Sequence, residues 1–448
     1  MLVGPKASGS GCPGGSSTRC HHRLRPESSG ARSRSGDDTA HTLSERRRDL
    51  LSEATSSLRR VITTLAVHGY RSLRDLVMPL GRLTVITGAN GTGKSSLYQA
   101  FRLLSDTSGN GLVSALAQAG GLSSVLWAGP ETISRAMRNG DVPVQGTGSR
   151  KRPVSLMLGF ATDTFSYLVD VGLPTPSQSL FARDPEVKRE VVWDGPVLRP
   201  SATLLTRRRG TVKVRDDRGW DTVTEDLSTR ESVLAALSDP RSYPELSYVR
   251  AEVASWRFHD HIRTDTHAPA RQPQVGTWSP VLDHDGRNLA AAVQTVRESA
   301  WASVLEAAIA DAFDGTTLEV VESEGLFFLS LRQVGMLRPM GVSELSDGTL
   351  RYVAMATALL SPRPPSLLVL NEPETSLHPQ LTGALARLIT AAANRTQIVV
   401  VTHLAALVDA LSAEAPDAVQ HELVKELGET RVADQGLLTR PTWDWGSR

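Results

Sequence analysis

Residues 88–95, Gly-Ala-Asn-Gly-Thr-Gly-Lys-Ser, follow the pattern G-x-x-x-x-G-K-[ST] and sit between a predicted strand and a predicted helix. This spacing suits polyphosphate. Gly88, Gly91 and Gly93 let backbone amides curl around anionic oxygens, with Asn90 and Thr92 completing the loop. The helix that follows, carrying Ser95 and Ser96, adds its positive N-terminal end. Lys94 is expected to reach the β and γ phosphates of ATP, and the Ser95 hydroxyl to ligate Mg²⁺. Such a site also needs a carboxylate at the end of a neighbouring buried strand. The segment Leu367-Leu-Val-Leu-Asn371-Glu372-Pro-Glu374 has that layout, with Glu372 where a water-activating carboxylate belongs and Asn371 at the metal position. An amide accepts a hydrogen bond but brings no charge. Glu374 reads either as the missing charge or as a solvated residue near the next helix N-terminus.

Two further segments carry weaker signals. Ser346, Asp347 and Gly348 precede a helix with apolar positions Leu350, Val353, Ala354 and Ala358, so Ser346 or Asp347 serves at least as an N-cap. His403 ends an apolar strand, on the edge where α/β sheets bind ligands.

The elements that must position these residues follow from hydrophobic periodicity. Strands are expected at 61–67 and 83–87, then a helix with the apolar face Leu97, Ala100, Phe101 and Leu104. Residues 154–160, 165–171, 187–193 and 211–215 alternate with a period of two and predict an antiparallel sheet. Helical spacing returns at 289–296 and 304–313, followed by strands at 318–321 and 326–331. From Thr349 the order is helix, buried strand (367–370), helix (377–393), buried strand (397–402), helix. That alternation belongs to a parallel α/β sheet.

Composition sets the outer bounds. The chain has 448 residues, 40% hydrophobic and 22% charged, which fits a globular protein with a sizeable core. Its apolar runs are far shorter than a membrane span needs, and no secretory leader is visible, so a cytoplasmic protein without membrane contact is expected. The first 60 residues hold 11 of the 49 basic and 6 of the 48 acidic residues, leaving 38 basic against 42 acidic in the other 388. This slightly acidic body argues against a footprint for nucleic acid over the whole surface. Residues 1–58, rich in Gly, Ser, Arg and His, are expected to be a disordered basic tail. Cys12, Cys20, His21 and His22 within it fit no standard zinc spacing. The polar loop with His259, His261, Asp265 and His267 reads as loop polarity more cheaply than as a metal site. Arg207-Arg208-Arg209 reads as a basic hairpin tip, either solvated or touching nucleic acid.

The four strings, in this order, resemble the ABC-type ATPases, in the branch that includes RecF, SMC proteins and OLD-type nucleases. Residues 88–95 resemble Walker A, 345–349 the ABC signature, 367–372 Walker B, 374–378 the D-loop region and His403 the switch histidine. Tyr70-Arg71-Ser72 matches an aromatic-basic-serine element before the P-loop strand, which adds Arg71 to the nucleotide contacts. Residues 345–351, 370–379, Trp256-Arg-Phe and 285–289 also resemble a bacterial family of predicted ATPases with an AAA-type core, whose pattern tolerates Asn before the Glu. The resemblance covers residue 60 onward. It implies an α/β P-loop NTPase of ABC/RecF type with a mixed central sheet, an antiparallel β subdomain and a helical insertion. The divisions expected are the tail 1–58, a core part 59–150 with Walker A, a β-rich and helical insertion 151–334, and a core part 335–448 with signature, Walker B and switch histidine.

The resemblance further implies half a site per chain. ATP held by Lys94 and Ser95 would be capped by Ser346 and the Gly348 N–H of a second copy, with Glu372 polarising water, His403 sensing the γ-phosphate and Asn371 at the Mg²⁺. Asp347 beside that phosphate would repel it unless its carboxylate turns back to cap the helix. The expected activity is a slow, dimerising ATPase switch, in DNA repair or phage defence, acting with DNA or a partner effector protein. Three rivals stand beside it. A non-hydrolysing nucleotide sensor is supported by Asn371. A transporter subunit is disfavoured by the 251 positions between Ser95 and Ser346, and an OLD-type nuclease by the 45 residues after His403.

Overall fold

The computed structural model describes residues 61–130, 134–139, 141–142, 155–174, 178–181, 183–237, 239–260, 262–436 and 438–447. All lie in one compact unit, Thr42–Arg448. The expectations for the tail and for Cys12, Cys20, His21 and His22 fall outside the described residues.

β1 (Ile62–Tyr70) and β2 (Leu73–Pro79) form a hairpin, and β3 (Leu83–Gly88) leads into the phosphate-binding loop and the P-loop helix, Lys94–Asp106. A meander follows: β4 (Leu156–Thr162), β5 (Phe165–Gly172), β6 (Glu186–Asp194), β7 (Thr203–Arg208), β8 (Thr211–Asp216) and β9 (Gly219–Thr224). It joins the first hairpin as one eight-stranded antiparallel sheet in the order β2-β1-β4-β5-β6-β7-β8-β9. The helix Pro244–Ser255 and the short β10 (Arg257–His259) return the chain to the centre. Beyond them β11 (Gln274–Val275), β12 (Thr317–Ser323), β13 (Leu326–Arg332) and β14 (Met340–Gly341) make a small sheet beside the helices Leu289–Arg297 and Ala302–Ala312. The signature helix Asp347–Leu359, β15 (Leu367–Asn371), helix Leu381–Ala393, β16 (Gln397–Val401), helix Ala405–Glu414 and the hairpin β17 (Val419–Glu426) and β18 (Glu429–Val432) complete the chain.

The central sheet runs β10-β15-β16-β3-β17-β18, parallel except for β18 at one edge. The fold is therefore that of an α/β P-loop NTPase with a mixed central sheet, an antiparallel β subdomain and a helical insertion. β15 and β16 are continuous apolar runs because both faces are covered. Alternate residues separate the faces. Ile86, Leu367, Val369, Val399 and Val401 join one core with Leu97 and Phe101 of the P-loop helix. Val85, Leu368, Leu370, Ile398 and Val400 join a second with Leu350 and Val353 of the signature helix. The two functional helices thus lie on opposite faces of the sheet.

Local differences from the sequence reading have physical causes. The helix expected from residue 377 begins at Leu381, because Pro379 disfavours helical geometry at His378 and the chain turns there instead. Arg207 is not at a hairpin tip. It is fully buried in β7, where it pairs with Glu190 at 2.7 Å and donates to the carbonyls of Arg209, Ser228 and Glu231. Tyr167 and Ser232 donate to the same Glu190 carboxylate, each at 2.6 Å. Among the described residues no helix is long and apolar enough to cross a membrane.

Candidate functional site

The phosphate-binding loop takes left-handed backbone at Gly88 (φ 146°), Gly91 (φ 81°) and Gly93 (φ 109°), which glycine adopts without strain. Ala89, Asn90, Gly91 and Ser95 are exposed, whereas Thr92, Lys94 and Ser96 are buried. The Lys94 ammonium folds over its own loop and donates to the carbonyls of Gly88 at 2.5 Å and Ala89 at 3.0 Å. Thr92 closes the turn through its N–H and hydroxyl, both to Ala89 O. No side chain caps the P-loop helix at Gly93, so its first amides are open to an anion.

A buttress for this loop comes from a segment that carried no sequence signal. Thr430 on β18, 1% exposed, donates its hydroxyl to Thr92 O at 2.6 Å and lies 2.7 Å from Ser72 Oγ. Its N–H donates to Ser72 O. A Cβ at Gly93 would stand 2.2 Å from Thr430 Oγ1, so the third glycine is required by close approach as well as by φ. Arg71 turns the first hairpin in left-handed backbone (φ 48°), donates its N–H to Val125 O at 2.6 Å and is exposed.

One sheet edge gathers the acid, amide and histidine side chains. Glu372 leaves β15 with φ 49° and its N–H donates to Val401 O at 2.7 Å, which ties the strand end to β16. His403 Nδ1 stands 3.4 Å from Glu372 Oε1 and 3.8 Å from Glu374 Oε1. The Thr402 hydroxyl donates to Glu374 Oε1. Glu374 is buried, not solvated, and its second oxygen has no hydrogen-bond partner among the described residues. That settles the two sequence readings of Glu374 against the solvated one. Asn371 Nδ2 donates to Asp260 Oδ1 at 3.0 Å, and Asp260, one residue past β10, is a neighbour of Asn371 that the sequence reading missed. The charge of Asp260 also reaches Tyr98 on the P-loop helix: burial first, then that carboxylate, push the phenol up to about 12. Ser95, Asn371, Asp260 and Glu372 offer hydroxyl, amide and carboxylate oxygens, the hard donors Mg²⁺ takes.

The signature segment is held differently from expectation. Ser346 caps its helix, accepting from the Thr349 N–H at 3.1 Å. Asp347 does not turn back to the helix; its carboxylate pairs with Arg271 at 2.8 Å. Arg271, mostly buried, also donates to the carbonyls of Thr264, Val342 and Leu345 and so fixes the whole approach to the signature. A Cβ on Gly348 would lie 2.7 Å from Ser376 O, so only glycine lets the signature touch the loop after Walker B. Arg351 reinforces that contact by donating to Thr375 O at 2.6 Å. Ser346 and Gly348 make no hydrogen bond or ion pair with the P-loop among the described residues. Likewise, among the described residues no group of three or more His, Cys, Asp or Glu side chains could hold a metal. Of the polar loop, His261 lies outside the described residues, His259 is buried, and Asp265 pairs with Arg263 at 2.9 Å.

A family model described as "AAA domain, putative AbiEii toxin, Type IV TA system" matches residues 83–409, about three quarters of the chain. No curated protein matches significantly. Three solved structures are similar at low identity. The SMC head bound to the C-terminal winged-helix domain of ScpA is 14% identical over 84% of this chain and 98% of that one, with TM-score 0.45. The SMC head with an extended coiled coil, bound to a ScpA domain from Pyrococcus furiosus, is 13% identical over 84% and 96%, TM-score 0.43. The SMC head domain from Thermotoga maritima is 16% identical over 84% and 99%, TM-score 0.39. With its glycine-rich loop, strand-end glutamate and helix Asp347–Leu359 set on one mixed sheet, the chain belongs to this AAA-domain family and has an α/β P-loop NTPase fold.

Proposed function

We propose that the protein binds and slowly hydrolyses ATP, and that ATP joins two copies into a conformational switch. The observation that carries this reading is the placement of the two helix N-termini. The P-loop helix packs on one face of the central sheet and the signature helix on the other, so one chain offers a phosphate cradle and, separately, a cap for a different cradle. In this reading Gly88, Asn90, Gly91, Thr92, Gly93 and Ser96 wrap the phosphates, and Lys94 exchanges its loop carbonyls for β and γ oxygens. Arg71 contacts the nucleotide from the neighbouring turn. Ser95 and Asn371 would hold Mg²⁺, whose charge helps neutralise the phosphates when bound. Glu372 orients the attacking water and accepts its proton, while His403 faces the γ-phosphate. Ser346 and the Gly348 N–H of the partner complete the site.

The family description names a toxin of a toxin–antitoxin system, which favours defence over repair as the cellular setting. A second reading, a sensor that binds ATP without turning it over, is favoured by Asn371 alone. Phosphate release by the wild type and by Lys94→Ala separates the two. Size-exclusion of Glu372→Gln with and without ATP tests the switch: a shift to dimer with ATP is expected, and an unchanged monomer would count against it. Turnover with and without double-stranded DNA tests the DNA partner.

A further inference from the structure

The departure at Asn371 has a counterpart on the adjacent strand. β10 and β15 are parallel, with His259 opposite Leu370, so Asp260 and Asn371 leave the sheet side by side at its carboxyl edge. Asn371 Nδ2 donates to Asp260 Oδ1 at 3.0 Å. An ionised carboxylate only accepts, so the amide has one compatible orientation, with Nδ2 on Asp260 and Oδ1 turned away from it. No hydrogen bond among the described residues occupies that Oδ1. On the other side of β15 lie β16, which ends at Val401 just before Thr402 and His403, and then β3, which feeds the P-loop. The Asp260 charge acts on both Arg351 of the signature helix and Tyr98 of the P-loop helix.

We propose that Asp260 and Asn371 form a charge-swapped pair at the magnesium edge of the nucleotide site: the carboxylate expected at the end of β15 stands at the end of β10, and Asp260 is the positioning residue that presents Asn371 Oδ1 to the metal's water shell. An acid and an amide in contact carry the same net charge whichever strand holds the acid. The local field that Mg²⁺ requires is thus kept although Asn replaces the usual acid. This inference rests on the reading of the site as a magnesium-nucleotide site.

The test is ATP binding by calorimetry to the full chain, in Mg²⁺ and in EDTA, for wild type, Asp260→Asn, Asn371→Asp and the double variant. Wild type is expected to bind more tightly in Mg²⁺. Asp260→Asn loses about 10–100-fold of that magnesium-supported gain, the ratio of affinity in Mg²⁺ to affinity in EDTA, as loss of an orienting partner does at metal sites. Asn371→Asp sets two carboxylates about 3 Å apart and loses a similar amount. Restoring the opposite arrangement, the double variant returns to within about threefold of wild type, because the two sites are coupled. A full magnesium gain in Asp260→Asn, or a double variant no better than the singles, overturns the pair. No binding of ATP by wild type in either buffer overturns the nucleotide-site reading itself, and the pair with it. An unchanged melting temperature shows that each variant is folded.

Discussion

Thr430→Val is the sharpest single test of how the fold prepares the phosphate-binding loop. Valine matches threonine in shape, so at a position 1% exposed the change leaves no cavity and removes only the hydroxyl. That hydroxyl serves Thr92 O at 2.6 Å and Ser72 Oγ at 2.7 Å, so the C-terminal hairpin loses its side-chain hold on the loop and keeps only the backbone hydrogen bond from Thr430 N–H to Ser72 O. A buried carbonyl left without its donor costs about 1–3 kcal/mol. If the cost falls on the binding-competent loop, ATP affinity drops about 5-fold to 150-fold at roughly 1.4 kcal/mol per tenfold. Thr430→Ser keeps the hydroxyl and should bind nearly as wild type. The assay is titration with a fluorescent ATP analogue, alongside urea unfolding. ATP affinity within twofold of wild type in Thr430→Val would refute the idea that β18 preorganises the loop, and a fall in stability alone would assign Thr430 to the fold.

Four other outcomes are expected. Glu374→Gln keeps an acceptor for the Thr402 hydroxyl but removes the charge beside His403; steady-state kinetics should show kcat reduced about 10-fold or more with the KM for ATP little changed. Arg271→Met releases the Asp347 carboxylate and three backbone carbonyls, so urea unfolding should report a loss of at least about 2 kcal/mol, with ATP-dependent association weakened and monomer affinity for ATP retained. Arg207→Met strands the Glu190 carboxylate in the core and should cost about 3–5 kcal/mol by denaturant unfolding, whereas Glu190→Gln with Arg207→Met costs less. For Asp75, burial opposes ionisation, but hydrogen bonds and charge from His68 and Arg440 outweigh it and hold the carboxyl at about 2. Its folded value lies below its ordinary 3.8, so this stabilisation is complete above pH 3.8 and is lost as pH falls through about 2. The gap in urea midpoint between wild type and Arg440→Gln should therefore be constant above pH 4 and close over that window.

Much of the site was legible because its signals are local. A glycine pattern with Lys94 and Ser95 needs only one loop, and the runs at 367–370 and 397–402 announce strands covered on both faces. The parts that escaped depend on neighbours distant in sequence. β10 has three residues, too few for a period, so Asp260 could not be placed beside Asn371 before the sheet order was known. The helix Pro244–Ser255 buries Glu245 and Glu252, which breaks its apolar stripe. The hairpin β17 and β18 is charged because it lies at the sheet edge, and Thr430 has no distinguishing neighbours in sequence. Arg207 read as a surface cation because the sequence does not reveal that Glu190 faces it. Asp347 looked like a helix cap for the same reason, since Arg271 lies 76 positions away.

The central claim is a nucleotide site shared by two copies of the chain, and mixing two defective variants tests it directly. Lys94→Ala lacks a working phosphate cradle and Ser346→Arg lacks a working cap; each alone should release phosphate at background rate. Mixed in equal amounts, half of the dimers pair unlike chains and each of these has one intact site, so about one quarter of wild-type turnover should return. A mixture as inactive as its parents, with both variants folded and Ser346→Arg still binding ATP, would contradict a site completed in trans.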